Sequence, residues 1–428
     1  MDDLRAALGG PLPERPTDPA RVVTELAAAA DPGIVGIPSG RYFGFVIGGA
    51  VPAALAADWL TSAWDQNAGL YVGGPAASVA EEIAGEWLRE LLRIPATASF
   101  GFVTGCQMAH VTALASARYR VLANAGWDVN ADGLAGAPPV RVLCGEQVHV
   151  TVPRALRLLG IGESAIVAVA ADDEGRMRPD ALREALAAGG GPTIVCAQAG
   201  EVNTGAFDPL REIAELGRAA GAWLHLDGAF GLWAAAAPAL AHLVHGAELY
   251  DSWATDAHKW LNVPYDSGIA FCADPEAHQR AMGVHADYLV HAEPGGPRDQ
   301  MEWNPEFSRR ARGFAVYAAL RSLGRSGVAE LVERCCAHAR RFAGELRALD
   351  GVELLNDVVL NQVLFRYESD ERTDRVLRVV QESGEAWMSG TVWAGRKAIR
   401  ISVSNWQTSD DDVARAVAAF AGAYAPAR

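Results

Sequence analysis

A chain of 428 residues, half of them hydrophobic, can bury a large core and divide into two domains, which excludes intrinsic disorder. Its formal charge of −15 argues against a polyanionic partner, since nucleic acid demands a basic face, and leaves a small zwitterionic or cationic substrate compatible. No apolar run reaches bilayer-spanning length and the start, Met1-Asp-Asp-Leu-Arg, lacks a signal-peptide pattern, so a cytoplasmic protein with neither membrane nor nucleic-acid partner is expected.

After a Pro-rich polar stretch from Pro11 to Pro19, the first informative segment is Phe102-Val-Thr-Gly-Cys-Gln-Met-Ala109. It sets a small-residue turn before a helical run, Met108 to Ala123. Free amides at such a helix start can hold a phosphate, and an ordinary loop has the same composition. Short β-branched or apolar runs then alternate with helical stretches: 140–144, 165–169, 193–196, 222–226 and 268–272. Ala181 to Ala188 and Leu210 to Ala220 have the apolar spacing of crossover helices, the second opened by Asp208-Pro209. Alternating βα units predict an α/β fold with a mostly parallel sheet covered on both faces.

Beyond Pro305 the pattern changes to long helical stretches, Ser308 to Leu323 and Val328 to Leu349, then strands at 358–365 and 398–403 and a last helix after Ser409. A smaller α+β domain is expected there. The division is therefore an N-terminal segment 1–60, a large domain 61–305 and a small C-terminal domain 306–428.

Three polar groups carry the chemistry. His149 follows the strand ending at Cys144, at the edge where α/β folds place ligands; its ring can stack on a flat heteroaromatic group or be satisfied by backbone. Asp227 ends the apolar run Trp223-Leu-His-Leu, where a buried carboxylate needs a cationic partner; a turn aspartate before Gly228 is the alternative. Lys259 lies in Asp256-Ala-His258-Lys259-Trp260, and its apolar neighbours argue against simple exposure and for a desolvated amine of lowered pKa. A lysine amine and a carboxylate for a pyridine nitrogen are the two groups that pyridoxal phosphate requires of a protein. The six cysteines show no framework or metal spacing and are expected to be reduced core thiols. His242 and His245 share a helix-like spacing without a third ligand, so no metal is expected.

The order of these segments, with Ala199-Gly-Glu-Val-Asn-Thr-Gly-Ala-Phe-Asp-Pro209 between His149 and Asp227, resembles the group II pyridoxal-phosphate-dependent amino-acid decarboxylases. The resemblance runs from about Ser39-Gly-Arg-Tyr-Phe-Gly-Phe45 to Ile399-Arg-Ile-Ser-Val-Ser-Asn-Trp406. It implies the fold type I architecture of the aspartate aminotransferases and a homodimer, with contacts from segment 1–60. It also implies a carboxy-lyase with an internal aldimine at Lys259, pyridine-nitrogen contact by Asp227, and ring stacking by His149. Phosphate contacts are expected from Thr104, Gly105 and Cys106, with His258 near the phosphate or the substrate carboxylate and Asn203 at the cofactor. An aromatic or other apolar amino acid is the expected substrate, walled by Tyr42, Phe43, Phe45 and Trp64, with Arg400 at a carboxylate or in a structural ion pair.

Three departures from the family bear on the outcome. Gln300 falls where the aromatic decarboxylases carry the loop tyrosine that protonates the carbanion, with Tyr288 as a substitute upstream. Cys106 and His110 are unusual in the phosphate turn, and Glu201 stands where many relatives have threonine. Oxygen-dependent aldehyde formation, transamination, side-chain cleavage and a non-catalytic homologue are therefore the alternatives to simple decarboxylation.

Overall fold

The computed structural model describes residues 2–286, 288–291 and 295–424. Its centre is a seven-stranded sheet of β1 (Ser99–Val103), β2 (Arg141–Gly145), β3 (Ile166–Val169), β4 (Thr193–Gln198), β5 (Trp223–Asp227), β6 (Ser252–Asp256) and β7 (Gly268–Cys272), ordered β1-β7-β6-β5-β4-β2-β3. All pairs are parallel except those that β7 makes with β6 and β1. Every residue of β1, β4, β5, β6 and β7 is buried, which accounts for the mainly apolar runs of β1, β4 and β7. Two antiparallel steps leave β1 pointing the same way as β6, so β1, β2, β4, β5 and β6 all end at one edge of the sheet.

A second, antiparallel sheet holds β8 (Glu353–Leu354), β9 (Gln362–Arg366), β10 (Ser389–Trp393) and β11 (Arg396–Ser402) in the order β10-β11-β9-β8. The α/β class and the fold type I architecture are as expected. The two long stretches beyond Pro305 form one helical span, Gly313–Arg347, broken at Gly324, whose φ of 62° is open to glycine at low strain. The N-terminal segment is sewn into the small sheet's side. The Phe43 amide donates to Trp387 O (2.6 Å), the Ser402 amide to Phe43 O (3.0 Å), and Tyr42 stacks on Trp387 with ring centroids 4.8 Å apart.

Two devices hold the β1 edge. Arg309, fully buried, pairs with Glu81 at 2.9 Å and donates to Ala68 O and Phe102 O, both at 2.7 Å, so it braces β1 just before the turn at Thr104. A Cβ on Gly268 would fall 2.5 Å from the Gly105 backbone, so β7 and that turn touch through bare main chain. Glu81→Leu leaves the Arg309 guanidinium buried without its counter-charge and is expected to cost about 3–5 kcal/mol. Denaturant unfolding measures this, and a loss under about 1 kcal/mol would show that the pair is not buried as described.

Candidate active site

At the edge where the strands end, β5 delivers Asp227, β6 delivers Asp256, and the loop after β2 delivers His149. The short helix Ala257–Trp260 carries Lys259, fixed by the fully buried Trp260 and Leu261 beside it. Lys259 Nζ lies 3.1 Å from Asp256 Oδ2, one helical turn back. Asp256 Oδ1 meanwhile accepts the Cys106 amide at 2.6 Å and lies 3.4 Å from His258 Nε2. Asp256 thus ties the lysine, the histidine and the start of the helix Cys106–Asn124 together.

Burial is the largest single influence on Lys259 and pulls its amine down, but Asp256, Cys106 and Asp227 together outweigh it and the net shift is upward. The expected lowered lysine pKa is therefore corrected: an acid three residues away offsets the desolvation. Asp227 shows the same balance with the signs reversed. Burial would raise it, yet His110, by charge and hydrogen bond, with His149 and Lys259, holds the carboxyl well below the usual range. His149 is pushed down by burial, and its Nδ1 lies 2.8 Å from Thr151 Oγ1 and accepts the Thr151 amide at 3.4 Å, which leaves the proton on Nε2.

His258 packs against the turn: a Cβ on Gly105 would meet its Cε1 at 3.1 Å. Its Nδ1 accepts the Ser267 amide at 3.0 Å, and its ring lies 4.4 Å from that of Tyr265, whose phenol burial and Asp256 push up to about 12. Thr104 and Gly105 form the half-buried turn itself. Arg400, on β11, donates to Val202 O at 3.1 Å; its buried Nε has no partner, and among the described residues no ion pair includes it. A structural ion pair is thus not its role.

Several expected site residues are engaged elsewhere. The Cys106 amide is taken by Asp256, and its Sγ faces His110 Nε2 (3.5 Å) and Asp227 Oδ1 (4.0 Å) rather than the turn. Asn203 donates to Glu201 Oε1 (3.0 Å) and accepts from Thr391 (2.9 Å), closing a turn that Glu201 caps through two backbone amides. Phe43 is core, 1% exposed and packed edge-on against Phe342. Trp64 packs on Phe314 on a half-exposed helix end. Gln300 is buried, with Nε2 donating to Ser78 O at 3.1 Å, while Tyr288 is largely exposed. His245 accepts from Arg211 at 2.7 Å, and all six cysteines are free and buried.

Asp256, His110 and Tyr265 are the site residues that the sequence reading passed over. The signals existed: Asp256 and Lys259 are three apart, and Cys106 and His110 four apart, so each pair shares a helix face.

Two buried histidines give the fold a pH signature. Burial holds His225 and His278 at about 3, helped by His110 and Arg298 respectively. An unfolded histidine binds its proton near 6.5. Below that pH the unfolded chain holds protons that the folded chain refuses, so stability falls as pH drops from about 6.5 toward 3, by up to about 1.4 kcal/mol per pH unit for each ring. Urea titrations of His278→Gln should show a pH slope shallower by about one proton; an identical slope would mean that this ring is charged in the fold.

Comparison with known proteins places this geometry. The model of the pyridoxal-dependent decarboxylase conserved domain matches residues 2–368. The chain is 31% identical over 379 residues to an L-2,4-diaminobutyrate decarboxylase of Rhizobium meliloti (strain 1021), covering 86% of this chain and 74% of that one. It is 27% identical over 427 residues to an aromatic-L-amino-acid decarboxylase of Bacillus atrophaeus, covering 96% and 87%. The crystal structure of Oryza sativa TDC with PLP and tryptamine superposes with a TM-score of 0.92 at 24% identity, over 98% of this chain and 91% of that one. The chain belongs to the pyridoxal-dependent decarboxylase family. It is a pyridoxal-phosphate-dependent amino-acid decarboxylase, a carboxy-lyase. No helix among the described residues is long and apolar enough to cross a membrane.

Proposed function

We propose that the chain decarboxylates an aromatic or other apolar amino acid as a cytoplasmic homodimer, with Lys259 as the covalent anchor of the cofactor. The residues fit pyridoxal phosphate by their chemistry: an amine, an acceptor-only carboxylate at Asp227, a turn at Gly105 kept free of side chain, and a spare buried donor at Arg400 Nε. When bound, the cofactor supplies an electron sink for the pair left by the departing carboxylate. Asp227 would be the residue that keeps a proton on the ring nitrogen, by presenting a negative oxygen to it. His149 would cover the ring and keep water from one face. Asp256 Oδ2, 3.1 Å from Lys259 Nζ, pairs with the ammonium and fixes the direction in which the amine points. His258 and Tyr265 stand at the lysine's flank, and Arg400 Nε is the donor offered to the substrate carboxylate.

The observation that carries the substrate class is an aromatic wall. Trp387 is stacked by Tyr42 and approached by Phe45 at 5.7 Å, and Tyr42 is near enough to add to the upward push on the Tyr265 phenol beside His258. A second copy of the chain is supported by the helix Pro19–Ala30, which buries no residue and exposes Val22, Val23 and Leu26, and by Trp59, Leu60 and Trp64, exposed on the helix Pro52–Trp64. The engagement of Gln300 with Ser78 favours one alternative: with no tyrosine there to return a proton, aldehyde formation with oxygen competes with amine formation.

Incubation of the purified holoenzyme with carboxyl-labelled amino acids tests the proposal. Release of labelled carbon dioxide is expected fastest with aromatic substrates, from a dimer by light scattering. Amine as co-product supports simple decarboxylation, and aldehyde with oxygen uptake supports the alternative. Retention of the label during turnover would sink both.

A further inference from the structure

Next to Asp227 stands a file of buried side chains. Trp223, His225 and Asp227 alternate along β5 and so share one face of the sheet, and Ser252 lies opposite His225 in the β5–β6 ladder. His110 reaches the same place from the helix Cys106–Asn124. Trp223 Nε1 donates to Ser252 Oγ at 2.9 Å; Ser252 Oγ lies 2.9 Å from His225 Nδ1; His225 Nε2 lies 2.9 Å from His110 Nδ1; and His110 Nε2 lies 3.4 Å from Asp227 Oδ2. His110, His225 and Ser252 have no exposed surface.

The polarity of this file follows from its two ends. An ionised carboxylate only accepts, so His110 Nε2 must carry a proton toward it. That donor persists whichever charge the ring carries: with a neutral His110, His225 Nε2–H donates to His110 Nδ1 and the Ser252 hydroxyl to His225 Nδ1, and with a charged His110 both of these inner bonds reverse. Trp223, which can only donate, closes the far end. The Cys106 thiol, kept protonated by burial and by Asp256 and Asp227, approaches the other carboxylate oxygen at 4.0 Å.

We infer that His110, His225 and Ser252 are positioning residues that present His110 Nε2–H to Asp227 and thereby keep the cofactor's proton on the ring nitrogen rather than on the carboxylate. The inference rests on the proposed contact of Asp227 with that nitrogen. Without the donor, the buried carboxylate becomes a stronger base and competes for the proton it should leave on the ring. Electron withdrawal by the ring weakens accordingly, while substrate binding, which involves none of these residues, is untouched.

The test uses the intact protein. In the apoprotein, nitrogen NMR of isotopically labelled histidine should show His110 protonated at Nε2; an unprotonated His110 Nε2 overturns the inference. In holoenzyme carrying isotopically labelled cofactor, the ring-nitrogen resonance should move toward its unprotonated position in His110→Leu, with kcat lowered about 10- to 100-fold and KM nearly unchanged. Ser252→Ala should move both in the same direction by a smaller amount. His110→Gln, which restores an N–H near the carboxylate, should recover most of the shift even where its thermal midpoint matches that of the leucine variant. A His110→Leu spectrum identical to wild type overturns the file's role, provided that Asp227→Asn moves the resonance. If Asp227→Asn leaves it unmoved, the proposed contact of Asp227 itself is wrong.

Discussion

Lys259→Ala is expected to abolish turnover, by on the order of a thousandfold or more, and to remove the visible absorbance of bound cofactor from the purified protein. The chain's other lysine, Lys397, is exposed on β11, where it pairs with Asp374. The substitution also removes the ammonium 3.1 Å from Asp256, but that carboxylate keeps the Cys106 amide at 2.6 Å, so the fold should persist. Absorbance spectra, circular dichroism and steady-state kinetics on the same preparation check it. Undiminished turnover in a well-folded variant would remove Lys259 from the mechanism.

Asp227→Asn is expected to lower kcat by roughly two to three and a half orders of magnitude, with a smaller change in KM. The estimate comes from a buried charge pair worth about 3–5 kcal/mol when one partner is neutralised. Asparagine keeps the volume and one acceptor oxygen, so the amide at Ala229, now donating to Asp227 Oδ1 at 3.1 Å, retains a partner. What is lost is the negative charge that His110, His149 and Lys259 sustain against burial. A kcat within tenfold of wild type would mean that the ring nitrogen is held by another group.

The fold was legible because β4, β5 and β7 are short apolar runs ended by turn residues, a pattern set by burial on both faces. The strand β6 was missed: Ser252-Trp-Ala-Thr-Asp256 mixes small and polar residues, and its serine and aspartate are buried for reasons that lie on other elements. The central pair of Asp227 and Lys259 could be read because each sits where a bare charge would otherwise be costly. Their partners were harder to see. Asn203, Phe43 and Gln300 occupy suggestive places in the sequence, yet each is held by a contact more than a hundred residues away, with Thr391, Phe342 and Ser78 respectively. The sign of the Lys259 shift was misjudged for a related reason, since it depends on three groups, Asp256, Cys106 and Asp227, whose convergence only the sheet edge creates.

The seam between residues 41–43 and the small sheet sets the order in which this protein can be finished. Translation delivers Phe43 long before Trp387 and Ser402, which bond to its amide and its carbonyl respectively. The N-terminal segment therefore emerges long before its docking site exists, and waits unpaired through the synthesis of the whole central sheet. A fragment beginning at residue 306 would carry all four strands of the small sheet but not the segment that covers Trp387. Expressed alone, it is expected to expose that indole and its neighbouring main chain to self-association, so the small sheet is finished only where residues 41–43 are present.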